Sequence, residues 1–291
     1  MKRSILTVTL LSACIFTASA QRPTEVAKVQ TVVTAEENFA KTVARKGIKD
    51  GFLANADAEG IVFKPDAKNI NDFYAGITKQ PGTMTWSPKF ARISANGDLA
   101  FTAGPYVYDA DSKKEDDKVY GDYVSVWRKD GEGRLKLLIQ VGVQHPEPDA
   151  AVMIDMKDPD TAMRKAPSKD PFRGKGVIMD NDKTFNYSLT KSTLGTYKEF
   201  FTPAGRYYFP GYEPVTGIDK TMKFLDNEAI NIAAETVSAG RANSGDLAYS
   251  YGKARIKKGN IVSNFYYLRI WELDAKSNWN VLTEIFSAVE Q

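Results

Sequence analysis

The pattern of apolar and polar positions predicts helices followed by strands. Apolar residues recur at helical spacing from Thr34 to Leu53 and from Asn69 to Ile77, with Thr34 as an N-cap and Gly47 as an interruption. Apolar and alternating segments then predict strands at 90–94, 99–108, 120–128 and 135–144. Helices followed by antiparallel strands indicate an α+β fold, in which helices cover one face of a curved sheet.

The second half of the chain repeats this pattern. Residues 96–104, NGDLAFTAG, recur as 244–252, SGDLAYSYG, at an offset of 148 residues. Further along the offset is 144, and a longer polar loop in the first copy explains the change. A proline-rich and charged stretch typical of a linker separates the copies. We therefore predict a first domain over 25–147, a linker over 148–175 and a second domain over 176–291.

Two features repeat inside the strand region. The pairs Gly97-Asp98 and Gly245-Asp246 predict tight turns that fix strand register. Gly104 and Gly252 interrupt equivalent strands, where a glycine often marks a bulge or a sharp bend. A strongly bent sheet wrapped on helices forms a cone with an interior, and this is how the pattern leads to a pocket.

The N-terminus has the pattern of an export signal. A basic start is followed by an apolar run of about twelve residues, too short to span a bilayer, and by small residues up to Ala20. Residues 1–20 are therefore predicted to be a signal peptide, and the mature protein to be periplasmic or secreted. The alternative is a lipoprotein, because Leu11-Ser12-Ala13-Cys14 resembles a lipobox whose Cys14 is lipidated.

Composition excludes several classes of protein. The 291 residues are 43% hydrophobic and 26% charged, which is ordinary for a globular protein. The net charge is +3, too small to indicate a nucleic-acid partner. One His and one Cys exclude zinc fingers, iron–sulfur clusters and a disulfide framework, and we expect no cofactor and no metal. The acidic cluster between Asp109 and Asp117 lacks the spacing of a calcium loop and is expected to be solvated.

Each copy resembles the NTF2-like superfamily, especially its SnoaL-like and DUF4440-type members. The residues that carry the resemblance are Trp86-x-Pro88, Gly97 to Gly104, Tyr123-x-x-x-Trp127-Arg128 and Asp130-Gly131 in the first copy, and Gly245 to Gly252, Tyr267-x-x-x-Trp271 and Trp279 in the second. The resemblance implies two tandem cone domains, each a curved antiparallel sheet wrapped on N-terminal helices. Leu135 stands where the family usually has Trp.

The leading hypothesis for function is a binding protein without assigned catalysis. The resemblance implies a small apolar or amphipathic ligand inside one cone, and the second copy is favoured because it is rich in Tyr. The candidate ligand contacts are Tyr249, Tyr251, Tyr266, Gln140, Gln144 and His145. His145 either contacts a ligand or is a solvated or capping side chain at the end of its strand.

Two further hypotheses stay open. Relatives of the ketosteroid isomerase type use an interior carboxylate as base, and Glu284 is the candidate for an isomerase, dehydratase or lyase, with Tyr249, Tyr251 or Tyr266 as its partner. The alternative for Glu284 is a side chain that faces water or pairs with Arg269. The third hypothesis is an assembly module, because NTF2-like relatives commonly pair through their sheets. This implies a homodimer or an intrachain pseudo-dimer.

Overall fold

A computed structural model describes residues 26–64, 66–78, 80–110, 118–149, 152–160 and 171–289, without the side chains of 171–173. The expected signal peptide, the alternative lipidation site Cys14 and most of the acidic loop therefore lie outside the described residues. Within the described residues, no helix has the length and apolar character needed to cross a membrane.

The elements fall into two groups with the same order. The first group comprises α1 (Val29–Lys46), α2 (Ile48–Asn55), β1 (Ala56–Phe63), β2 (Ala67–Asn69), α3 (Ile70–Gly76), β3 (Thr83–Trp86), β4 (Phe90–Ile93), β5 (Leu99–Asp109), β6 (Lys118–Lys129), β7 (Leu135–Gln144) and β8 (Asp155–Lys157). The second comprises α4 (Pro171–Leu189), α5 (Thr193–Phe200), β9 (Phe201–Tyr208), β10 (Val215–Thr216), α6 (Ile218–Asn227), β11 (Ile230–Arg241), β12 (Leu247–Lys258), β13 (Ile261–Leu273) and β14 (Trp279–Ala288).

Each group forms one sheet covered by its own helices. The strand orders are β2-β1-β7-β6-β5-β4-β8, with β3 also on β5, and β10-β9-β14-β13-β12-β11. The pairing is antiparallel except where β1 meets β7, β8 meets β4 and β9 meets β14. Apolar residues of the helices pack on one face of each sheet. The predicted α+β fold, with helices on one face of a curved sheet in two successive copies, is confirmed.

The first helix starts earlier than the capping pattern predicts. It begins at Val29, and Thr34 lies inside it, where its hydroxyl accepts a hydrogen bond from Gln30. The Val29 amide donates instead to the Asp158 carboxylate at 2.8 Å. A carboxylate 129 residues away therefore caps the helix, and the prediction of Thr34 as the N-cap is wrong. Gly47 does separate α1 from α2, with a φ of 88°.

Parts of the predicted linker have regular structure. Strand β8 pairs in parallel with β4 and covers its edge. Helix α4 begins at Pro171, a residue that is well tolerated in the first turn because its missing amide would have no partner there. The proline-rich segment predicted as a linker therefore includes the start of a helix as well as a connection between the domains.

The repeated glycines allow close backbone contacts. A Cβ added to Gly104 would lie 2.2 Å from the Ser87 carbonyl oxygen, and one added to Gly252 would lie 2.0 Å from the Glu235 carbonyl oxygen. Opposite Gly252 the register of β11 shifts between Thr236 and Ser238. The predicted irregularity therefore exists, but the extra residue is on the partner strand.

The outer faces of the two sheets pack against each other. One buried apolar cluster contains residues of both groups, including Phe63, Phe101 and Val141 of the first and Tyr251 and Leu268 of the second. The Phe63 ring lies 5.8 Å from the Tyr251 ring and 4.9 Å from the Tyr266 ring. Pairing through the sheets therefore occurs within one chain, and a homodimer stays a prediction.

The two glycine–aspartate turns join the halves reciprocally. Asp246 accepts a hydrogen bond from the Ala95 amide at 2.8 Å, and Asp98 accepts one from the Asn243 amide at 2.8 Å. Each turn also closes its own hairpin, since Ser94 donates to Asp98 and Ser244 to Asp246. The repeated aspartates thus fix both local register and the contact between sheets.

We expect Asp246→Ala to lower the free energy of unfolding by about 1–3 kcal/mol, because the buried Ala95 amide loses its acceptor. Denaturant unfolding measures the effect. Asp226→Ala, at an exposed position near the end of α6, is the matched control and should change stability little. Equal losses in the two variants would contradict a role for the Asp246 carboxylate between the sheets.

Candidate functional site

Each domain buries one carboxylate between its first helix and its sheet. Glu36 of α1 is fully buried and accepts hydrogen bonds from Trp86 at 2.6 Å, Thr102 at 2.6 Å and Trp127 at 2.9 Å. Burial raises the pKa of Glu36, and the hydrogen bonds from these donors oppose the shift. The Glu36 carboxylate therefore ties α1 to the first sheet.

Asp182 of α4 occupies the equivalent place in the second domain. It accepts hydrogen bonds from Ser250 at 2.7 Å, Tyr267 at 2.6 Å and Thr236 at 2.5 Å. Asp182 also forms an ion pair with the Arg269 guanidinium at 2.8 Å, and neither side chain is exposed. The second domain therefore repeats the buried acid and adds a buried cation.

The two interiors differ at one pair of facing positions. Arg269 of β13 lies opposite Glu284 of β14, and the Arg269 Nε donates to the Glu284 carboxylate at 2.7 Å. At the equivalent place in the first domain, Ser125 lies opposite Gln140. The second domain thus has an ion pair, Arg269–Glu284, where the first domain has two neutral side chains.

Glu284 lies inside the second domain, fully buried, and does not face water. One carboxylate oxygen accepts from Arg269 and the other from the Tyr197 hydroxyl of α5. Burial raises the pKa of Glu284, while the charge of Arg269 opposes the shift. Of the alternatives for this residue, pairing with Arg269 is the one present.

The tyrosines expected beside Glu284 lie on the other face of the sheet. Tyr251 and Tyr266 belong to the cluster between the sheets, and Tyr249 packs against it. Successive side chains of a strand point to opposite faces, so β13 sends Tyr266 outward and Tyr267 inward. The expectation that these three tyrosines partner Glu284 is wrong, and Tyr197 takes that place.

Side chains fill the interior of the second domain. Around the Arg269–Glu284 pair lie aromatic rings in mutual contact, and the Arg269 guanidinium lies 4.0 Å from the centroids of the Phe185 and Tyr267 rings. The other buried aromatic residues of this cluster are Tyr197, Phe201, Tyr207, Phe209, Phe265, Trp271 and Phe286. The tyrosine content that favoured a ligand in this domain therefore serves packing within the domain and between the sheets.

An open cavity of about 690 Å³ is lined mainly by the first domain, together with Pro210 and residues 286–288 of the second, and is called the first-domain cavity. Its walls include the apolar side chains of Phe52 and Val62, and Gln140 and Gln144 of β7 lie on it. Gly142, between these two glutamines, also lines the cavity. Two of the predicted ligand contacts are thus on one cavity, in the first domain rather than the second.

Tyr106 supplies a hydroxyl at this cavity. Its ring packs closely on Gly121, where an added Cβ would lie 2.6 Å from the ring. Burial raises the pKa of Tyr106 to about 12, so the hydroxyl stays protonated near neutral pH. The cavity therefore combines apolar walls, two carboxamides and a neutral hydroxyl, an arrangement suited to an amphipathic molecule.

His145 is not solvated. Its ring contacts the Asp122 carboxylate at 2.8 Å and the Pro146 carbonyl at 2.6 Å, and its side chain is 1% exposed. The hydrogen bond to Asp122, followed by that to Pro146, raises the pKa of His145 against the effect of burial. His145 follows Gln144 and does not line the first-domain cavity, so it pairs within the protein instead of contacting a ligand there.

No family model and no curated protein matches the chain. Among solved structures it is similar to a ketosteroid isomerase-like protein from Erwinia carotovora atroseptica (13% identity, 40% of this chain and 96% of that chain, TM-score 0.34). It is also similar to an NTF2-like protein from Cytophaga hutchinsonii (19%, 39% and 96%, 0.33) and to an LEH-like epoxide hydrolase from M. tuberculosis (13%, 41% and 83%, 0.31). The fold assignment rests on the described elements themselves.

Sequence reasoning missed the two buried acids beneath the first helices. Glu36 precedes Phe39 by three residues, and Asp182 precedes Phe185 by three. One turn of helix separates each acid from its phenylalanine, so both face the sheet. An acid recurring on the apolar stripe of both helices was the available signal.

We expect Arg269→Met to lower the free energy of unfolding by about 3–5 kcal/mol, because Asp182 and Glu284 would be left as buried, uncompensated carboxylates. Arg255→Met, at an exposed position of β12, is the control. Denaturant unfolding followed by circular dichroism compares them, and similar losses would contradict a buried ion pair.

The His145–Asp122 pair predicts pH-dependent stability. A raised pKa means that the folded state binds the proton more tightly than the unfolded state, whose pKa is near 6.5. The stabilisation is therefore complete below that value and is lost as the pH rises through the raised pKa of the folded protein. The difference in unfolding free energy between the wild type and His145→Gln should shrink as the pH rises above about 6.5 and through the raised pKa of the folded protein. A constant difference would contradict the pairing.

Proposed function

We propose that this is an exported protein of two NTF2-like domains, of the SnoaL-like or DUF4440 type, that binds a small apolar or amphipathic molecule in the cavity of its first domain. The observation that carries the proposal is the difference between the two interiors. Gln140 lines the cavity of the first domain, whereas Glu284 at the equivalent position of the second domain is fully buried with Arg269 and its aromatic neighbours. The second domain is then a closed partner that supports the first through the packed sheets.

The chemistry of the cavity defines the ligand class. Its volume of about 690 Å³ lies in the range of small-molecule sites. The aromatic and aliphatic walls favour an apolar body, and Gln140, Gln144 and the Tyr106 hydroxyl offer neutral hydrogen bonds to a polar group. Among the described residues that line the cavity, Lys64 is the one charged side chain, and it is exposed. The other polar groups of the lining are neutral, so we expect the polar group of the ligand to be uncharged.

An enzyme with Glu284 as base is the less favoured reading. Arg269 and Tyr197 already occupy the two carboxylate oxygens, and rings fill the surrounding interior. A general base must reach the proton that it removes, and this carboxylate is enclosed. Gln140, at the equivalent place beside the open cavity, has no basic group.

Export is proposed from the sequence of residues 1–20, with lipidation at Cys14 as the alternative. The intact mass of the mature protein distinguishes the two, since cleavage after Ala20 leaves Gln21 first and lipidation leaves Cys14 first. A chain that keeps Met1 to Ala20 would overturn both.

Gly142→Leu should weaken binding at the first-domain cavity. A Cβ at this position would lie 3.6 Å from the nearest Tyr106 ring atom, an ordinary contact, so the leucine fits on the backbone and its side chain obstructs part of the cavity. We expect affinity for a neutral amphipathic probe, 1-naphthol, to fall at least about tenfold by calorimetric titration.

Gly131→Leu is the matched control, since nothing lies within 4 Å of an added Cβ in that hairpin turn. It should bind 1-naphthol like the wild type. Absence of binding to the wild type, or equal affinity of the wild type and Gly142→Leu, would overturn the proposed site.

A further inference from the structure

A second hollow lies between the two sheets and is separate from the first-domain cavity. It has a volume of about 500 Å³ and is lined by β1, β6 and β7 of the first domain and by β11 and β12 of the second. We call it the interdomain cleft. Ile61, Leu138 and Ile139 form its apolar wall on the first domain, and Tyr249 and Tyr251 face them from the second.

The two sheets meet along two edges, which we call seams, and the side chains at these seams differ in size. The cleft lies at the seam with the smaller side chains. The internal repeat makes positions in the cleft equivalent to positions in the opposite seam. Ser238 corresponds to Phe90, Gly240 to Arg92, and Ile61 to Arg206. The opposite seam is filled by these larger side chains. The Arg206 guanidinium lies 4.2 Å from the Phe90 ring centroid.

A further pair closes that opposite seam. Arg92 lies 3.7 Å from the Glu272 carboxylate, and β8 covers the edge of β4. In the cleft, Arg128 takes the place of Glu272 and turns to Asp57 and Glu59 of its own domain. The smaller residues and the outward pairing of Arg128 leave the cleft hollow.

The lining of the cleft is predominantly positive. Four cationic and two acidic side chains line it: Arg128, Lys129, Lys175, Arg241, Glu59 and Asp98. The acids are already engaged, Glu59 by Arg128 at 2.8 Å and Asp98 by the Ser94 hydroxyl and the Asn243 amide. Among the described residues, Lys129, Lys175 and Arg241 form no ion pair.

Arg241 is the residue best placed to hold an anion. Its Nε is buried and has no hydrogen-bond partner, which is costly for a charged group. Its guanidinium lies against Gly174 in the first turn of α4, 3.1 Å from where a Cβ of that glycine would be, and near Gly245. The helix start adds positive potential at the same place.

We propose that the interdomain cleft binds a small organic anion, with its carboxylate, sulfonate or phosphate group on Arg241 and its apolar body between Ile61, Tyr249 and Tyr251. Lys129 and Lys175 supply additional positive charge around the head group. The Tyr249 ring packs directly on Gly240, where an added Cβ would lie 2.5 Å from it, so this wall is fixed before a ligand arrives.

The test uses 1-naphthoate and its uncharged counterpart 1-naphthalenemethanol as probes, titrated calorimetrically into the full chain. All titrations are made in the Gly142→Leu background, in which the leucine obstructs the first-domain cavity, so failure here is distinguishable from failure of the proposed function. We expect 1-naphthoate to bind, the alcohol to bind at least about tenfold more weakly, and added salt to weaken naphthoate binding.

Arg241→Gln should reduce naphthoate affinity at least about tenfold. Arg255→Gln is the matched control, because it removes the same charge from an exposed position. Arg255 lies on β12, seven residues beyond Ala248, which pairs with Arg241. Lys129→Gln, compared with Lys257→Gln, keeps the test valid if Arg241→Gln fails to fold. No binding to the unsubstituted cleft, or equal losses in the cleft and control variants, would overturn the proposal.

Discussion

The burial of each sheet's outer face against the other is the constraint on which the rest of the structure depends. A curved sheet covered by helices on one side still exposes an apolar face, and here one continuous cluster covers both such faces within a single chain. The reciprocal bonds of Asp98 and Asp246 fix the registration of the halves. Because the outer faces are used in this way, the first-domain cavity lies inside a cone and the interdomain cleft along a seam between the sheets.

The duplicated fold assigns different chemistry to equivalent positions. Glu36 and Asp182 do the same work, each tying a first helix to its sheet. The residues Gln140 and Glu284 do not: Gln140 lines a cavity, and Glu284 pairs with Arg269 in a charged core that aromatic rings enclose. Duplication thus supplied one closed domain and one open domain. The same divergence along the seams, Phe90 against Ser238 and Arg92 against Gly240, filled one seam and left the other hollow.

Buried charge is balanced differently in the two halves. The first domain solvates Glu36 with neutral donors, whereas the second neutralises Asp182 and Glu284 with one arginine. A buried ion pair stabilises little relative to an apolar core but is costly to break. The charged pair of the second domain is therefore costly to replace, whereas the first domain has the neutral side chains of Gln140 and Gln144 on its cavity.

The sequence by itself determined the α+β class, the duplication and most helices and strands, because these follow from local periodicity and from a repeated nine-residue segment. It also placed Gln140 and Gln144 on one strand, and the structure puts both on the cavity. Tertiary structure decided the rest. The alternation of side chains along the strands, together with a register shift between β13 and β14, puts Tyr249, Tyr251 and Tyr266 on the face that packs against the other sheet. The Glu284 side chain is on the opposite face, inside the second domain. Asp158 rather than Thr34 caps α1, and His145 pairs with Asp122, because both partners come from distant parts of the chain. Which domain keeps a cavity depended on side chains that several distant elements bring together, which no local pattern encodes.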